Sequence, residues 1–214
     1  HYDSSTPLEI NGQPATANDL AVGQLVYAEA SGTGDEVVAR KISVRYAVSG
    51  PVTNVNNGNG QIRVMGQTVQ LTGQTINSMG VVQPGDFVRV SGLRKQDGVI
   101  MAARIERTSA QSEASVSGPI SRTGKSEFNI SGLRISPEGG KMPEGIATGR
   151  EVHVRGQLQD GMLKAEKIEV APAIPFGGRE QRLELQGYVR TTHEPGKLRM
   201  GETPMDIAPQ ALAS

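Results

Sequence analysis

A chain of 214 residues with 22 basic and 22 acidic side chains offers a polyanion no net charge, and with aromatic residues at 3% and no Trp it has few platforms on which single-stranded bases could stack. Cysteine is absent, which removes disulfides, thiolate metal sites and cysteine nucleophiles together, and no run of about 18 apolar residues is present to cross a bilayer as a helix. The 27 glycines and 12 prolines, with few helical periods, point to short strands and tight turns.

The chain opens in mid-motif. His1-Tyr2-Asp3-Ser4-Ser5 reads as the middle of a strand, Leu8-Glu9-Ile10 alternates, Asn11-Gly12 is a turn signal, and Asn18-Asp19-Leu20 is placed to cap one helical turn. A hairpin then runs from Gly23 to Ile42. A second stretch begins with Val48-Ser49-Gly50-Pro51-Val52, turns through Asn56 to Gly60, and continues with Ile62-Arg63-Val64 and Thr68 to Leu71. After an irregular segment from Thr75 to Val82, it ends in a hairpin from Gly85 to Ile105. Thr108 to Ser115 is small and polar and reads as a linker. Val116-Ser117-Gly118-Pro119-Ile120 then repeats the opening of the second stretch. Phe128 and Ile130, Leu133 and Ile135, and a hairpin from Gly149 to Ile168 follow in the same order. A Pro/Gly-rich connection, Ala171 to Gly178, leads to a last partial copy with Tyr188-Val189, Leu198 and Met200, then Met205 and Ile207.

Three of these hairpins close with Ala-x-basic-Ile, the isoleucines being Ile42, Ile105 and Ile168. This is an internal repeat, and it sets the architecture. Each whole unit has five short strands with a brief segment after the third. Closing five such strands into a small barrel buries their apolar face and covers most edges, the OB-like solution. The expected fold is therefore all-β, tandem five-stranded OB-like barrels with incomplete repeats at both ends: 1–46, 47–107, 114–170 and 182–214, each whole unit with its own core. Val52, Val64, Val88 and Val90 should be buried in one, and Ile120, Ile130, Val152 and Val154 in the other. Gly98 and Gly161 should adopt positive φ or sit in a bulge. Ala and Ile three positions apart fall on opposite faces of a regular strand. If both are core, a β-bulge must fall at Arg40-Lys41, Ala103-Arg104 and Glu166-Lys167.

The pattern Gly-x-Val, Ile-x-Val-x-Gly, Gly-x-x-Val-x-Val-x-Gly, Asp-Gly and Ala-x-Arg-Ile resembles the bacterial domain-of-unknown-function family 5666, over nearly all of the chain. Ala30 stands where the family usually has glycine, and the last copy departs most. The resemblance implies OB-like repeats in a periplasmic, cell-envelope or secreted protein.

No residues declare a catalytic site. His1, His153 and His193 do not share metal-ligand spacing, no Gly-x-Ser-x-Gly elbow is present, and Gly139-Gly140 and Gly177-Gly178 lack the strand-to-helix setting of a phosphate loop. Asp35, Asp97 and Asp160 read as turn residues. No enzyme, cofactor or metal is expected. What varies while the core valines repeat is the outward row of the fourth strand, Tyr27, Arg89 and His153, each expected to face solvent and together the candidate binding row. The expected function is a non-catalytic binding or structural module for a protein or glycan partner. The alternative is a single-stranded nucleic-acid binder, which the balanced charge disfavours. The first copy holds its third strand onward and the last its first three. The opening in mid-motif favours a piece trimmed from a longer chain. Otherwise the halves combine into a composite barrel within the chain, or self-associate between chains.

Overall fold

The computed structural model describes residues 6–33, 36–110, 113–171, 182–191, 197–200 and 203–206. They divide into two units, one drawn from the two ends of the chain (1–45 and 174–214) and one continuous from 46 to 173. Every described element is a β-strand or a one-turn 3-10 helix.

The N-terminal part of the first unit contributes β1 (Leu8–Ile10), β2 (Gln13–Ala15), β3 (Leu25–Thr33) and β4 (Glu36–Val44). A 3-10 turn, Ala17–Asp19, follows β2, and Asp19 closes it by accepting hydrogen bonds from the Thr16 backbone N–H and hydroxyl, both at 2.8 Å.

The continuous unit begins with β5 (Val48–Asn56), β6 (Gln61–Val64), β7 (Gln67–Gln70), β8 (Ile76–Asn77), β9 (Phe87–Arg94) and β10 (Ile100–Arg107). β5 pairs with β6, β6 with β7, β7 runs parallel to β10, β10 pairs with β9, and β9 returns to β5. The circuit is a closed five-stranded barrel. A second follows from β11 (Ala114–Pro119), β12 (Arg122–Thr123), β13 (Phe128–Ile130), β14 (Leu133–Pro137), β15 (Glu151–Gln159) and β16 (Met162–Val170). Here the first strand is broken at Ile120-Ser121, so β11 pairs with β15 and β12 with β13, while β14 again runs parallel to β16. All eight side chains expected inside are at most 3% exposed, so the alternation was read in the right register.

Hairpin chemistry follows the sequence closely. Gly98 and Gly161 have φ of 85° and 73°, and Asp160 has 51°. Asp97 accepts from the Val99 N–H at 3.0 Å; Asp35 lies outside the described residues. The ladder skips one residue at each expected bulge: Arg40 in β3–β4, Ala103 in β9–β10 and Glu166 in β15–β16. That skip turns Ala102 and Ile105 to the same interior, at 7% and 0% exposure.

The two complete copies do not keep separate cores. β11 starts at Ala114, inside the expected linker, and pairs with β5 at Val48↔Val116 and Ser49↔Ser115. Val48 and Val116 are equivalent residues of the two copies, so a local two-fold axis passes between them. One sheet crosses the junction, and the buried residues of both barrels form a single cluster. Around that axis the copies differ. Over Gly50 lies the side chain of Met65, so close that a β-carbon there would sit 2.5 Å from its sulfur. The equivalent of Met65 in the second copy is the short Ser131, and the space over Gly118 is filled by Arg94 of the first copy. Its Nη1 donates to Gly98 O (2.9 Å) and Ser131 Oγ (3.2 Å), and its Nη2 to Ser117 O (2.9 Å). Gln67, wholly buried, reaches the same turn through Nε2 to Ile130 O at 3.0 Å.

In the other unit, β17 (Arg182–Thr191), β18 (Lys197–Met200) and β19 (Thr203–Asp206) complete the set. β17 pairs antiparallel with β3, from Arg182↔Ser31 to Tyr188↔Leu25, as β11 pairs with β15. The first strand of the last copy thus joins the fourth strand of the first copy within one chain. The sheet order is β19-β18-β17-β3-β4-β1-β2, over a core of Leu8, Val26, Ala28, Ile42, Val44 and Val189.

Candidate functional site

The three residues of the expected outward row are divided between the two units, Tyr27 in one and Arg89 and His153 in the other, and each is engaged locally. Tyr27, half-buried on β3, has the Arg45 guanidinium 5.2 Å from its ring centroid and accepts from Gln186 Nε2 at 3.3 Å. Arg89, half-buried on β9, stacks over Tyr46 at 5.5 Å. Burial raises the Tyr46 hydroxyl above its ordinary pKa, and the Arg89 charge opposes that rise.

His153 does not face solvent; it is 3% exposed. Strand alternation correctly placed it opposite Val152 and Val154, but that face is occupied. Its cross-strand neighbours are Ser117 on β11 and Glu169 on β16. Ser117 Oγ donates to Tyr46 O at 2.9 Å and lies 2.7 Å from His153 Nδ1. A hydroxyl has one proton to give, so Nδ1 carries the hydrogen and donates to Oγ. On the same face Arg155, 5% exposed, donates to Glu113 at 3.0 Å. Ser115, its cross-strand neighbour, is fully buried with its hydroxyl unpartnered. The row is therefore a polar inter-strand seam.

An open polar cleft lies on the second complete barrel. A cleft of about 400 Å³ is lined by Ser136 and Pro137 at the end of β14, the 3-10 turn Glu138–Gly140, Gln157 and Gln159 of β15, and Lys164 to Glu166 of β16. The ladder explains the grouping. Ser136 pairs with Lys164 across the parallel β14–β16 contact, and Lys164 with Gln157 across the hairpin. One outward row thus spans three strands, and the bulge at Glu166 swings a carboxylate to its side. Gln157, Gln159, Lys164 and Glu166 are exposed and make no side-chain hydrogen bond to protein. The site combines two amides, an ammonium, carboxylates from Glu138 and Glu166, and a hydroxyl. It can donate and accept hydrogen bonds over one wall, and it holds no histidine or cysteine.

The cleft gave no sequence signal, because exposed polar residues on a strand read as ordinary surface. Superposing the copies would have found it. The equivalents of Gln157, Lys164 and Glu166 in the first barrel are Leu93, Met101 and Ala103, an apolar patch with Leu93 43% exposed. The two barrels share a core and differ at this face.

The family model described as domain of unknown function (DUF5666) matches the chain twice, over residues 49–106 and 117–169. The chain belongs to this family. The two matches coincide with the two complete copies, the first of them a closed five-stranded barrel, so the chain holds two DUF5666 units in tandem. No curated protein matches the chain, and no solved structure does. Among the described residues no three His, Cys, Asp or Glu side chains gather as a metal site, and no helix is long and apolar enough to cross a membrane.

Proposed function

We propose that this DUF5666 protein is a non-catalytic module of OB-like barrels, acting in the cell envelope or after secretion, that binds a protein or glycan partner. The cleft beside Glu138–Gly140 supports this reading. It presents unused donors and acceptors on a rigid barrel face, at a place where the sister barrel is apolar. Specific recognition of hydroxyl-rich or polar ligands rests on such convergent groups set on fixed elements. No hydrogen bond joins Ser136 to Lys164 or to a carboxylate of the lining, and the chemistry we assign to the cleft is hydrogen bonding.

A glycan array probed with the full chain, beside a set of oligonucleotides at low and moderate salt, tests the proposal. The expected result is retention on an oligosaccharide class that survives moderate salt and is lost in a Gln157→Ala/Lys164→Ala variant of unchanged thermal midpoint. Retention only on oligonucleotides, collapsing as salt rises, would replace this reading with nucleic-acid binding.

A further inference from the structure

In two copies the end of the fifth strand, at the isoleucine of Ala-x-basic-Ile, carries a short extra strand on its outer edge. β1 lies parallel to β4 at Leu8↔Ile42, Glu9↔Ser43 and Ile10↔Val44. β8 lies parallel to β10 at Ile76↔Arg104 and Asn77↔Ile105. The outward backbone groups are thereby used. Ile42 N–H donates to Pro7 O at 2.9 Å, Val44 O accepts from Asn11 N–H at 2.8 Å, and Ile105 O accepts from Ser78 N–H at 3.3 Å.

β16 is the exception. Its parallel partner β14 ends at Pro137↔Ala165, before the bulge, and from Lys167 to Val170 its strand partner among the described residues is β15 alone. Ile168 and Val170 are the equivalents of Ile42 and Val44. Among the described residues no hydrogen bond reaches their outer side. Exposure follows the pairing: Ile42 is 1% exposed and Ile105 and Val44 are 0%, whereas Ile168 and Val170 are half-buried. The loop after Glu138–Gly140 packs Met142 and Ile146 against the core, and a β-carbon on Gly145 would sit 3.8 Å from Val170 Cγ1. That loop touches a side chain of the edge without bonding its backbone. An unpaired edge beside half-open apolar side chains is what an added strand recognises.

We propose that the outer edge of β16, from Lys167 to Val170, is a strand-acceptor site for an extended segment of a partner protein, bound parallel to β16. The sister copies specify the segment. Leu8 and Ile10 lie beside Ile42 and Val44, so apolar residues belong beside Ile168 and Val170. The residue between them faces Glu169. In the first copy that place is held by Glu9, which pairs with Ser43 and reaches Lys41 at 2.8 Å. The equivalent lysine, Lys167, is instead engaged by Glu169 at 3.0 Å, as Arg104 is by Glu106 at 2.8 Å in the second copy, where the added strand runs on into the uncharged Ser78. An acid opposite Glu169 would set like charges face to face. The segment is therefore apolar, then serine or threonine, then apolar. The site begins where the cleft ends, at Glu166, and uses none of the cleft's side chains.

Amide exchange measured by NMR on the full chain tests this, with a synthetic peptide centred on Pro-Leu-Thr-Ile as the probe. Alternate amides of a strand face opposite edges. With peptide at about 1 mM, exchange at Ile168 and Val170 should slow several-fold while Lys167 and Glu169, facing β15, stay unchanged. A peptide centred on Pro-Leu-Glu-Ile should protect several-fold less. Val170→Pro removes an outward N–H without touching the ladder to β15, and should abolish the protection of Ile168 at an unchanged thermal midpoint. The Gln157→Ala/Lys164→Ala variant should keep it. No slowing at Ile168 and Val170 overturns the proposal, and this readout on the parent chain decides even if Val170→Pro does not fold. Undiminished protection in a folded Val170→Pro, or equal protection by the acidic peptide, would also overturn it. Protection lost in the cleft variant would place the peptide in the cleft and sink the edge site.

Discussion

The contact between Arg94 and Gly118 joins the two complete barrels, and a double-mutant cycle on that pair isolates it. In Arg94→Ala the chain loses three hydrogen bonds from a charged donor, to Gly98 O, Ser131 Oγ and Ser117 O. Bonds of this kind contribute about 1.5–3 kcal/mol each before the cost of desolvation. That cost is evident here: burial pulls the guanidinium pKa down, Glu151 opposing, and Nε is buried without a partner. The net loss should be about 2 kcal/mol. In Gly118→Ala the new β-carbon would sit 2.7 Å from Arg94 Nε, 3.2 Å from its Cζ and 3.1 Å from Ile130 Cγ2. Overpacking of this order costs about 1–3 kcal/mol. Two of those three atoms vanish in Arg94→Ala, so the second substitution should be far cheaper in that background. The expected coupling is about 1–2 kcal/mol. Urea denaturation of the four proteins measures it, with m-values checked for a common transition. Additivity within about 0.5 kcal/mol would show that Arg94 does not occupy the space over Gly118 in solution, and the account of Ser131 as its complement would fall with it.

Gly156→Ala should lower stability by about 2–3 kcal/mol in the same assay, because its β-carbon would lie 1.9 Å from the Lys164 carbonyl oxygen in the rigid bulged hairpin; a neutral result would mean that the hairpin yields. Gly98→Val, at φ of 85°, should cost about 1–2 kcal/mol through left-handed strain, and an unchanged midpoint would count against the turn. Although Glu151 is exposed at the residue level, desolvation raises its carboxyl above the ordinary 4.5, with Arg94 opposing. Above pH 4.5 the folded state then holds the proton that the unfolded state has released, so this group subtracts stability as pH rises through that window. Glu151→Gln should flatten the fall, and an identical pH profile for variant and parent would refute the assignment. Asp86 is held below the ordinary carboxylate range, first by the backbone N–H of Gln83 and then by Arg107. Its contribution is present above its unfolded pKa and lost as pH falls through the lower folded value. Asp86→Asn should therefore remove part of the acid sensitivity of the midpoint, and one equally acid-sensitive would show that Asp86 adds none.

Much of the barrel was legible because its constraints are local. Val88 and Val90 alternate on one strand, Asp-Gly fixes a turn, and Ala102 and Ile105 can share an interior only through a bulge, so a few consecutive residues carry the inference. His153 shows where that stops. Alternation assigns a side chain to a face, but whether the face is open depends on Ser117 and Glu169, contributed by other strands. The same holds for Arg94, whose role follows from a difference between copies, Met65 against Ser131, and not from its own surroundings in sequence. Repetition supplies a second kind of information, in which shared positions report the fold and unshared ones report what each copy does with it. Leu93 against Gln157 and Met101 against Lys164 mark the cleft in that way.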